Sequence, residues 1–223
     1  RLPTANFTTN AACLNQPTLF SDLSIGNDGA SIVGWSWDFG DGGVSGIRNP
    51  IHPYRSNGTY NVRLIVTDRN GCRNSVFSKP VTVNPLPTLE FRSSIACTGT
   101  PTEFVNSSVA NSTEINGYQW LFSDGSTDTA RNPSHIFPGP GTWFATLKVT
   151  NSNNCSDTLR QSVTVRSLPI ANFIADTACV GNPTSFIDLS RVLSGNITAR
   201  LWNFGDGRGQ IINQRTPRYS YGA

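Results

Sequence analysis

The sequence has no methionine and is poor in charged side chains. Asp, Glu, Lys and Arg together make up 14% of the 223 residues, whereas soluble domains commonly carry about 25%. Only three glutamates are present, Glu90, Glu103 and Glu114. Because no closely spaced pair of carboxylates recurs and no serine stands in a Gly-x-Ser-x-Gly sequence, we expect no active site in these residues. Without a methionine, the sequence is expected to be part of a longer mature chain.

Two further absences exclude classes of partner. The net charge of +3 is spread thinly along the chain, without the cluster of Lys and Arg that nucleic-acid binding requires. No stretch approaches the roughly 18 apolar residues of a membrane-spanning helix, and the first residues do not have the charged start and apolar run of a signal peptide. We therefore expect neither nucleic-acid binding nor direct membrane insertion.

What the sequence does contain is an internal repeat. The six residues from Trp37 read Trp-Asp-Phe-Gly-Asp-Gly. A related hexapeptide begins 83 residues later at Trp120, and another begins 82 residues after that at Trp202. Self-similarity at a fixed period indicates a tandem array of one structural unit. Each copy opens with a stiff Leu-Pro step. We predict three repeats, of which the last lacks its final two strands: residues 1–84, 85–167 and 168–223.

Within each repeat, the hydrophobic period is two. Tyr60, Val62, Leu64 and Val66 alternate with other residues on one face of a strand, which is typical of a half-buried antiparallel strand. Gly, Asn, Asp and Pro interrupt such runs at short intervals. About seven short strands per repeat and no helical window predict an all-β fold of small tandem β-sandwiches.

The five cysteines recur with the repeat. Cys13 and Cys72 are 59 residues apart, and Cys97 and Cys155 are 58 apart, while Cys179 has no counterpart further along. This near-equal spacing predicts the disulfides Cys13–Cys72 and Cys97–Cys155, with Cys179 unpaired. A zinc site is not expected, because no cysteine has a second Cys or a His two to four residues away. Paired half-cystines place the chain in an oxidising compartment.

Together these motifs resemble the polycystic kidney disease (PKD) domain. They are Trp-Asp-Phe-Gly-Asp-Gly from Trp37, Asn-Pro-x-His-x-Tyr from Asn49, and Gly-Thr-Tyr-x-Val-x-Leu-x-Val-Thr-Asp-x-Asn-Gly from Gly58. The resemblance implies an immunoglobulin-like β-sandwich outside the cell that acts as a spacer or contacts proteins or carbohydrates. The cysteine-bearing form resembles arrays in giant surface proteins of gliding and adhering Gram-negative bacteria. Leu121 and Asn203 depart from the pattern, because they replace Asp38.

Two sets of polar residues are candidate sites. Asp38 and Asp41 could provide oxygen ligands for calcium, although two carboxylates fall short of the usual six to eight ligands. Aspartates in a glycine-rich turn more often accept hydrogen bonds from their own backbone, and we favour that interpretation. His52 and His135 are expected to pack rather than catalyse, since the third repeat has Tyr219 at the same place. No cofactor is expected apart from the calcium alternative.

Three Asp-Thr triplets resemble an O-glycosylation sequence of the same Gram-negative bacteria. The candidate acceptors are Thr129, Thr158 and Thr177, which the sequence pattern places in loops. The alternative is that these triplets are ordinary turn residues, and the sequence does not decide between the two interpretations.

Two hypotheses for the function follow. The first is a non-catalytic stalk or adhesion segment of a large surface protein, on the cell surface or secreted, which contacts its neighbouring repeats and an unidentified protein or polysaccharide surface. The second is an accessory spacer or binding segment of a secreted multidomain hydrolase. Repetition favours the first.

Overall fold

A computed structural model describes residues 1–111, 114–208 and 210–222, and the regular secondary structure of these residues is almost entirely β-strand. The first repeat has eight strands and one short 3-10 helix, Asn27–Gly29. Its strands are β1 Phe7–Thr9, β2 Ala12–Cys13, β3 Pro17–Asp22, β4 Ile32–Asp38, β5 Val44–Ser45, β6 Ile51–Pro53, β7 Gly58–Asp68 and β8 Phe77–Asn84.

These strands form two sheets that face each other. One sheet has the order β1-β3-β6, and the other has the order β2-β8-β7-β4-β5. All neighbours in the two sheets are antiparallel except β2, which runs parallel to the end of β8. A short parallel strand on one edge and two packed sheets are typical of the immunoglobulin-like sandwich.

The second repeat has the same strands in the same order. They are β9 Phe91–Ser93, β10 Ala96–Cys97, β11 Thr102–Asn106, β12 Ile115–Phe122, β13 Thr127–Asp128, β14 Ser134–His135, β15 Gly141–Asn151 and β16 Ser156–Arg166. Their sheets, β9-β11-β14 and β10-β16-β15-β12-β13, repeat the order of the first sandwich strand for strand.

Each complete repeat has its own hydrophobic core between the sheets. The alternation in β7 buries Val62, Leu64 and Val66, as predicted from the period of two. Trp37 is 1% exposed and packs edge-on against Phe7, and its indole Nε1 donates a hydrogen bond of 2.9 Å to the carbonyl oxygen of Ile47. The aromatic core residues of the second repeat correspond one to one: Phe91, Phe104, Trp120, Phe122 and Phe137.

The third repeat has five described strands. Its strands are β17 Phe173–Ala175, β18 Thr184–Asp188, β19 Leu201–Asn203, β20 Gln210–Ile212 and β21 Arg218–Tyr219. They form the sheets β17-β18-β21 and β19-β20, so in the described part of the chain this repeat has no equivalent of β15 and β16.

Within the described residues, the core of the third repeat is open on one side. Phe173 is 56% exposed, whereas its counterparts Phe7 and Phe91 are 1% and 2% exposed. The side chains of Phe173, Phe186 and Trp202 line a groove of about 500 Å³ on the uncovered side. Across the residues that are described, no helix has both the length and the apolar character needed to span a membrane.

Candidate functional site

Cys13 lies at the end of the first sandwich where the chain leaves it. In the parallel pairing of β2 with β8, Cys13 is opposite Asn84, the last residue of β8. The neighbouring residue of β8, Val83, pairs in turn with Gly58 at the start of β7. We call this end the exit pole of the repeat and Cys13 its pole cysteine.

Cys155 lies at the opposite pole of the second sandwich, in the loop that connects β15 to β16. The side-chain Oδ1 of Asn151 accepts hydrogen bonds from the backbone N–H groups of Asn153 (3.1 Å) and Cys155 (3.0 Å). Asn154 has φ of 59°, a left-handed conformation that asparagine tolerates better than most residues. This loop presents Cys155, which we call the hairpin cysteine, at the pole where the chain enters the repeat.

The exit pole of the first repeat and the entry pole of the second are joined by a disulfide between Cys13 and Cys155, whose Cα atoms are 5.6 Å apart. Next to it, the side-chain amide of Gln16 donates a hydrogen bond of 2.6 Å to the carbonyl oxygen of Ser156.

Two asparagine contacts add to this joint. The side-chain amide of Asn153 donates to Oδ1 of Asn84 at 3.0 Å, and that of Asn151 donates to the carbonyl oxygen of Pro85 at 3.3 Å. The disulfide and these hydrogen bonds form one continuous contact between the two repeats, which we call the inter-repeat joint.

The predicted disulfides Cys13–Cys72 and Cys97–Cys155 are therefore wrong. Cys72 and Cys97 are free and partly exposed, and Cys179 is free and exposed. The two cysteines of one repeat lie at opposite ends of its longest hairpin. Because a strand rises about 3.3 Å per residue, the 11 residues of β7 separate Cys13 from Cys72 by roughly 30 Å, and a disulfide requires Cα atoms within about 7 Å.

The second candidate site is the glycine-rich turn after β4. Oδ2 of Asp41 is 2.7 Å from Nε2 of His52, and Oδ1 of Asp41 accepts the N–H of Gly43 at 2.9 Å. The ring of His52 stacks on Phe39, with centroids 4.1 Å apart and planes 6° apart. Partial burial raises the pKa of the Asp41 carboxyl, but the hydrogen bonds from His52 and Gly43 outweigh it and hold the pKa below its usual value.

The same arrangement recurs in the other two repeats. Asp124 and His135 are paired at 2.7 Å, and the His135 ring stacks on Phe122. In the third repeat, the hydroxyl of Tyr219 donates to Oδ2 of Asp206 at 2.7 Å. In all three repeats an aromatic side chain that packs on the core is hydrogen-bonded to the aspartate of the turn.

The oxygens of the calcium candidates face donors of the chain itself. Oδ1 of Asp38 accepts the N–H of Gly40 at 3.0 Å, and its Oδ2 is 3.8 Å from a guanidinium nitrogen of Arg63. No group of three or more His, Cys, Asp or Glu that could hold a metal ion occurs within residues 1–111, 114–208 and 210–222. Calcium binding at Asp38 and Asp41 stays the less favoured alternative from the sequence.

The three candidate acceptors of O-glycosylation are exposed but not equivalent. Thr129 and Thr177 lie in loops, as expected. Thr158, in contrast, is in strand β16 and pairs with Lys148 of β15, so its predicted loop position is wrong. The hydrophobic face of β16 points to the core, which leaves Thr158 on the outer face of the sheet.

The joint is the feature that sequence reasoning missed. Its cysteines were visible, but their spacing was interpreted within a repeat. One signal could have pointed to it: the alternating run from Tyr60 to Val66 predicts a long strand shortly before Cys72, which places that cysteine at one end of the sandwich.

Each complete repeat consists of two facing sheets, and the two complete repeats are joined pole to pole. This arrangement defines a chain of immunoglobulin-like β-sandwich modules. The chain belongs to the PKD domain family, which matches residues 1–84 and again residues 83–167.

Proteins with similar segments include two bacterial collagenases. Collagenase ColQ1 of Bacillus cereus (strain Q1) is 51% identical over 51 residues, which is 23% of this chain and 5% of that protein. Microbial collagenase of Vibrio alginolyticus is 39% identical over 70 residues, or 31% of this chain and 9% of that protein. The similar segments thus span less than a tenth of each collagenase.

Solved structures that resemble the chain include single PKD domains. The PKD1 domain of the Vibrio cholerae metalloprotease PrtV is 30% identical, with a TM-score of 0.34, and the match covers 37% of this chain and 98% of the domain. The PKD1 domain of Vibrio anguillarum Epp is 32% identical, with a TM-score of 0.33, and the match covers 37% of this chain and 96% of the domain.

Proposed function

We propose that this chain is a non-catalytic stalk segment of a large extracellular surface protein, in which PKD repeats are held end to end so that they space and present binding regions. The observation that supports this most directly is the disulfide between Cys13 and Cys155. It joins the exit pole of one sandwich to the entry pole of the next. A covalent bond across a junction resists bending, and resistance to bending is what a stalk requires.

The connection between the repeats adds to the stiffness of this junction. Leu86 and Pro87 make a step in which proline fixes its own φ and holds the preceding residue extended. The side-chain amide of Asn111 donates to the carbonyl oxygen of Leu86 at 2.7 Å and to Oγ1 of Thr88 at 2.9 Å. These bonds attach the connection to the entry pole of the second repeat.

Small-angle X-ray scattering of the oxidised 223-residue chain tests the stalk. We expect a maximum dimension on the order of 100 Å, because three repeats follow one another end to end and the long hairpin strands of the first two have 8 to 11 residues. A compact chain of this length would have a radius of gyration of about 17 Å, and a measured value near that figure would rule the stalk out. The variant Cys13→Ser is the matched control. Its pair-distance distribution should be broader, because the junction without the disulfide can bend.

The alternative function is an accessory segment of a secreted hydrolase. The similarity to segments of two collagenases favours it. If the chain served such an enzyme as a binding segment, it would itself bind the substrate of that enzyme. Sedimentation with insoluble collagen fibrils tests this: co-sedimentation of the oxidised chain supports the binding segment, and a chain that stays in the supernatant rules that form of the alternative out.

The proposed location is the cell surface or the extracellular medium. Disulfides form and persist in oxidising compartments, and the joint depends on one. The proposed partners are the neighbouring repeats and an unidentified protein or polysaccharide surface.

A further inference from the structure

The free Cys72 has the same setting as the disulfide-bonded Cys155. Oδ1 of Asp68 accepts the N–H of Cys72 at 2.9 Å, just as Oδ1 of Asn151 accepts that of Cys155 at 3.0 Å.

The backbone of the two loops agrees as well. The N–H of Asp68 donates to the carbonyl oxygen of Cys72 at 3.0 Å, and the N–H of Asn151 donates to that of Cys155 at 2.9 Å. The residues before the cysteines, Gly71 and Asn154, both have positive φ, 80° and 59°. Cys72 is therefore the hairpin cysteine of the first repeat.

The free Cys97 has, in the same way, the setting of the bonded Cys13. Cys97 pairs in parallel with Arg166, the last residue of β16, as Cys13 pairs with Asn84. The N–H of the next residue, Thr98, donates to the carbonyl oxygen of Arg166 at 2.9 Å, which matches the bond from Leu14 to Asn84.

The turn that follows is also shared. The N–H of Thr100 donates to the carbonyl oxygen of Cys97 at 3.0 Å, as that of Gln16 donates to Cys13 at 3.1 Å. In the third repeat, Asn182 donates to Cys179 at 3.0 Å. Cys97 and Cys179 are therefore the pole cysteines of the second and third repeats.

We propose that the inter-repeat joint is a repeating device, in which the pole cysteine of each repeat forms a disulfide with the hairpin cysteine of the repeat that follows it. Cys97 then bonds to the hairpin cysteine of a completed third repeat, and Cys72 bonds to the pole cysteine of a repeat placed before the first. This proposal rests on the proposed stalk function and names its partner, the neighbouring repeat.

The chemistry of each bond balances with an external oxidant. The two thiols lose two protons and two electrons, and one S–S bond forms. A small-molecule disulfide such as oxidised glutathione takes up the electrons and is released as two thiols by thiol–disulfide exchange. Pairing within a repeat does not compete, because roughly 30 Å of β-strand lies between its pole and hairpin cysteines.

The test supplies the missing hairpin to the intact chain. Tyr221 aligns with Phe137, so residue 223 aligns with residue 139. A copy of residues 140–167 is therefore appended after residue 223, and this extension contains a copy of Cys155. The control is the same extension with serine in place of that cysteine. After equilibration in a glutathione redox buffer, free thiols are alkylated and disulfides are mapped by mass spectrometry of peptides.

We expect Cys97 to be linked to the appended cysteine, with Cys72 and Cys179 as the alkylated cysteines. In the control, Cys97 should be alkylated as well. A bond between the appended cysteine and Cys179, or an alkylated Cys97 in a chain whose added strands are protected from hydrogen exchange, would overturn the proposal.

A second measurement does not depend on folding of the extension. In the unextended variant Cys155→Ser, the pole cysteine Cys13 has lost its partner, and the proposal expects both Cys13 and Cys72 to be alkylated. The mirror variant Cys13→Ser should leave Cys97 and Cys155 alkylated. A disulfide within a repeat in either variant would refute the pole-to-hairpin rule, whereas the scattering of the oxidised chain tests the stalk independently.

Discussion

Cys13 and Cys155, which are 142 residues apart in the sequence, have their Cα atoms 5.6 Å apart and form a disulfide across the junction of two repeats. Both side chains are buried, at 3% and 0% exposure. Most intramolecular disulfides in small extracellular domains strengthen a single core. This one instead restricts how two separately folded sandwiches can move relative to each other.

The first prediction concerns the mobility of this junction. In the variant Cys13→Ser we expect faster backbone hydrogen exchange in the loop that connects β15 to β16, because only hydrogen bonds then hold the loop to the first repeat. Exchange in the core strand β7 should not change. The matched control is Cys179→Ser, which removes an exposed, free thiol. Equal exchange of the loop in both variants would show that the disulfide adds no rigidity.

The second prediction concerns the open core of the third repeat. Phe91→Ala should lower the free energy of unfolding of the second repeat by about 3–5 kcal/mol, because it leaves a cavity in a closed core. The equivalent Phe173→Ala should cost less than half as much, since more than half of that side chain is already in solvent. Urea unfolding monitored by hydrogen exchange of each repeat gives both values, and equal costs would contradict the open core.

The third prediction concerns the pH dependence of the Asp41 turn. The pKa of Asp41 lies below its usual value of 3.8, because hydrogen bonds from His52 and Gly43 outweigh the effect of burial. A lowered pKa in the folded state stabilises the protein above the unfolded value, and this contribution is lost as the pH falls through the folded value. Asp41→Asn should therefore lower the free energy of unfolding by about 1 kcal/mol at neutral pH. The loss should become progressively smaller below about pH 4.

The measurement for Asp41 is thermal or urea unfolding between neutral pH and acid. Asp28→Asn is the control, since Asp28 is exposed in the 3-10 turn and its carboxylate accepts a hydrogen bond from the side-chain amide of the neighbouring Asn27. A cost of Asp41→Asn that stays constant down to strongly acidic pH would mean that the carboxylate charge plays no part.

The fourth prediction concerns calcium. Millimolar calcium should leave the Tm of the chain unchanged, because the oxygens of Asp38 and Asp41 already accept hydrogen bonds from Gly40, Gly43 and His52. Calcium would have to displace these donors and still find further ligands. A rise in Tm with calcium that disappears in Asp38→Asn would establish the site.

The fifth prediction concerns O-glycosylation. When the chain is secreted by a Gram-negative host with the corresponding glycosylation system, we expect glycan on Thr129 and Thr177 and little on Thr158. A transferase needs an acceptor segment that can adopt its binding conformation, and Thr158 is held in the ladder between β15 and β16. Mass spectrometry of glycopeptides checks the pattern, with Thr129→Ala as the site control. Equal occupancy at all three residues would contradict the role of local structure.

Much of the fold could be predicted from the sequence. The alternation around Val62 and Leu64 has a period of two, and only a strand with one buried face has that period. The recurrence of Trp37 as Trp120 predicted copies of one unit, because both tryptophans are buried at the same place between two sheets. The bounds of the third repeat stay a prediction from the alignment.

The sequence by itself thus determined the strands, the repeated core and the residues of each turn, since these depend on neighbours within a few positions or on the repeat period. Only the tertiary structure decided which cysteines bond and what surrounds Thr158. Cys13 and Cys72 have nearly the same spacing as Cys97 and Cys155 because the two pairs occupy equivalent positions in successive copies. This equality carries no information on distance in space. The long hairpin of β7 and β8 places these two cysteines at opposite poles, and the stacking of one repeat on the next brings Cys13 to Cys155 instead.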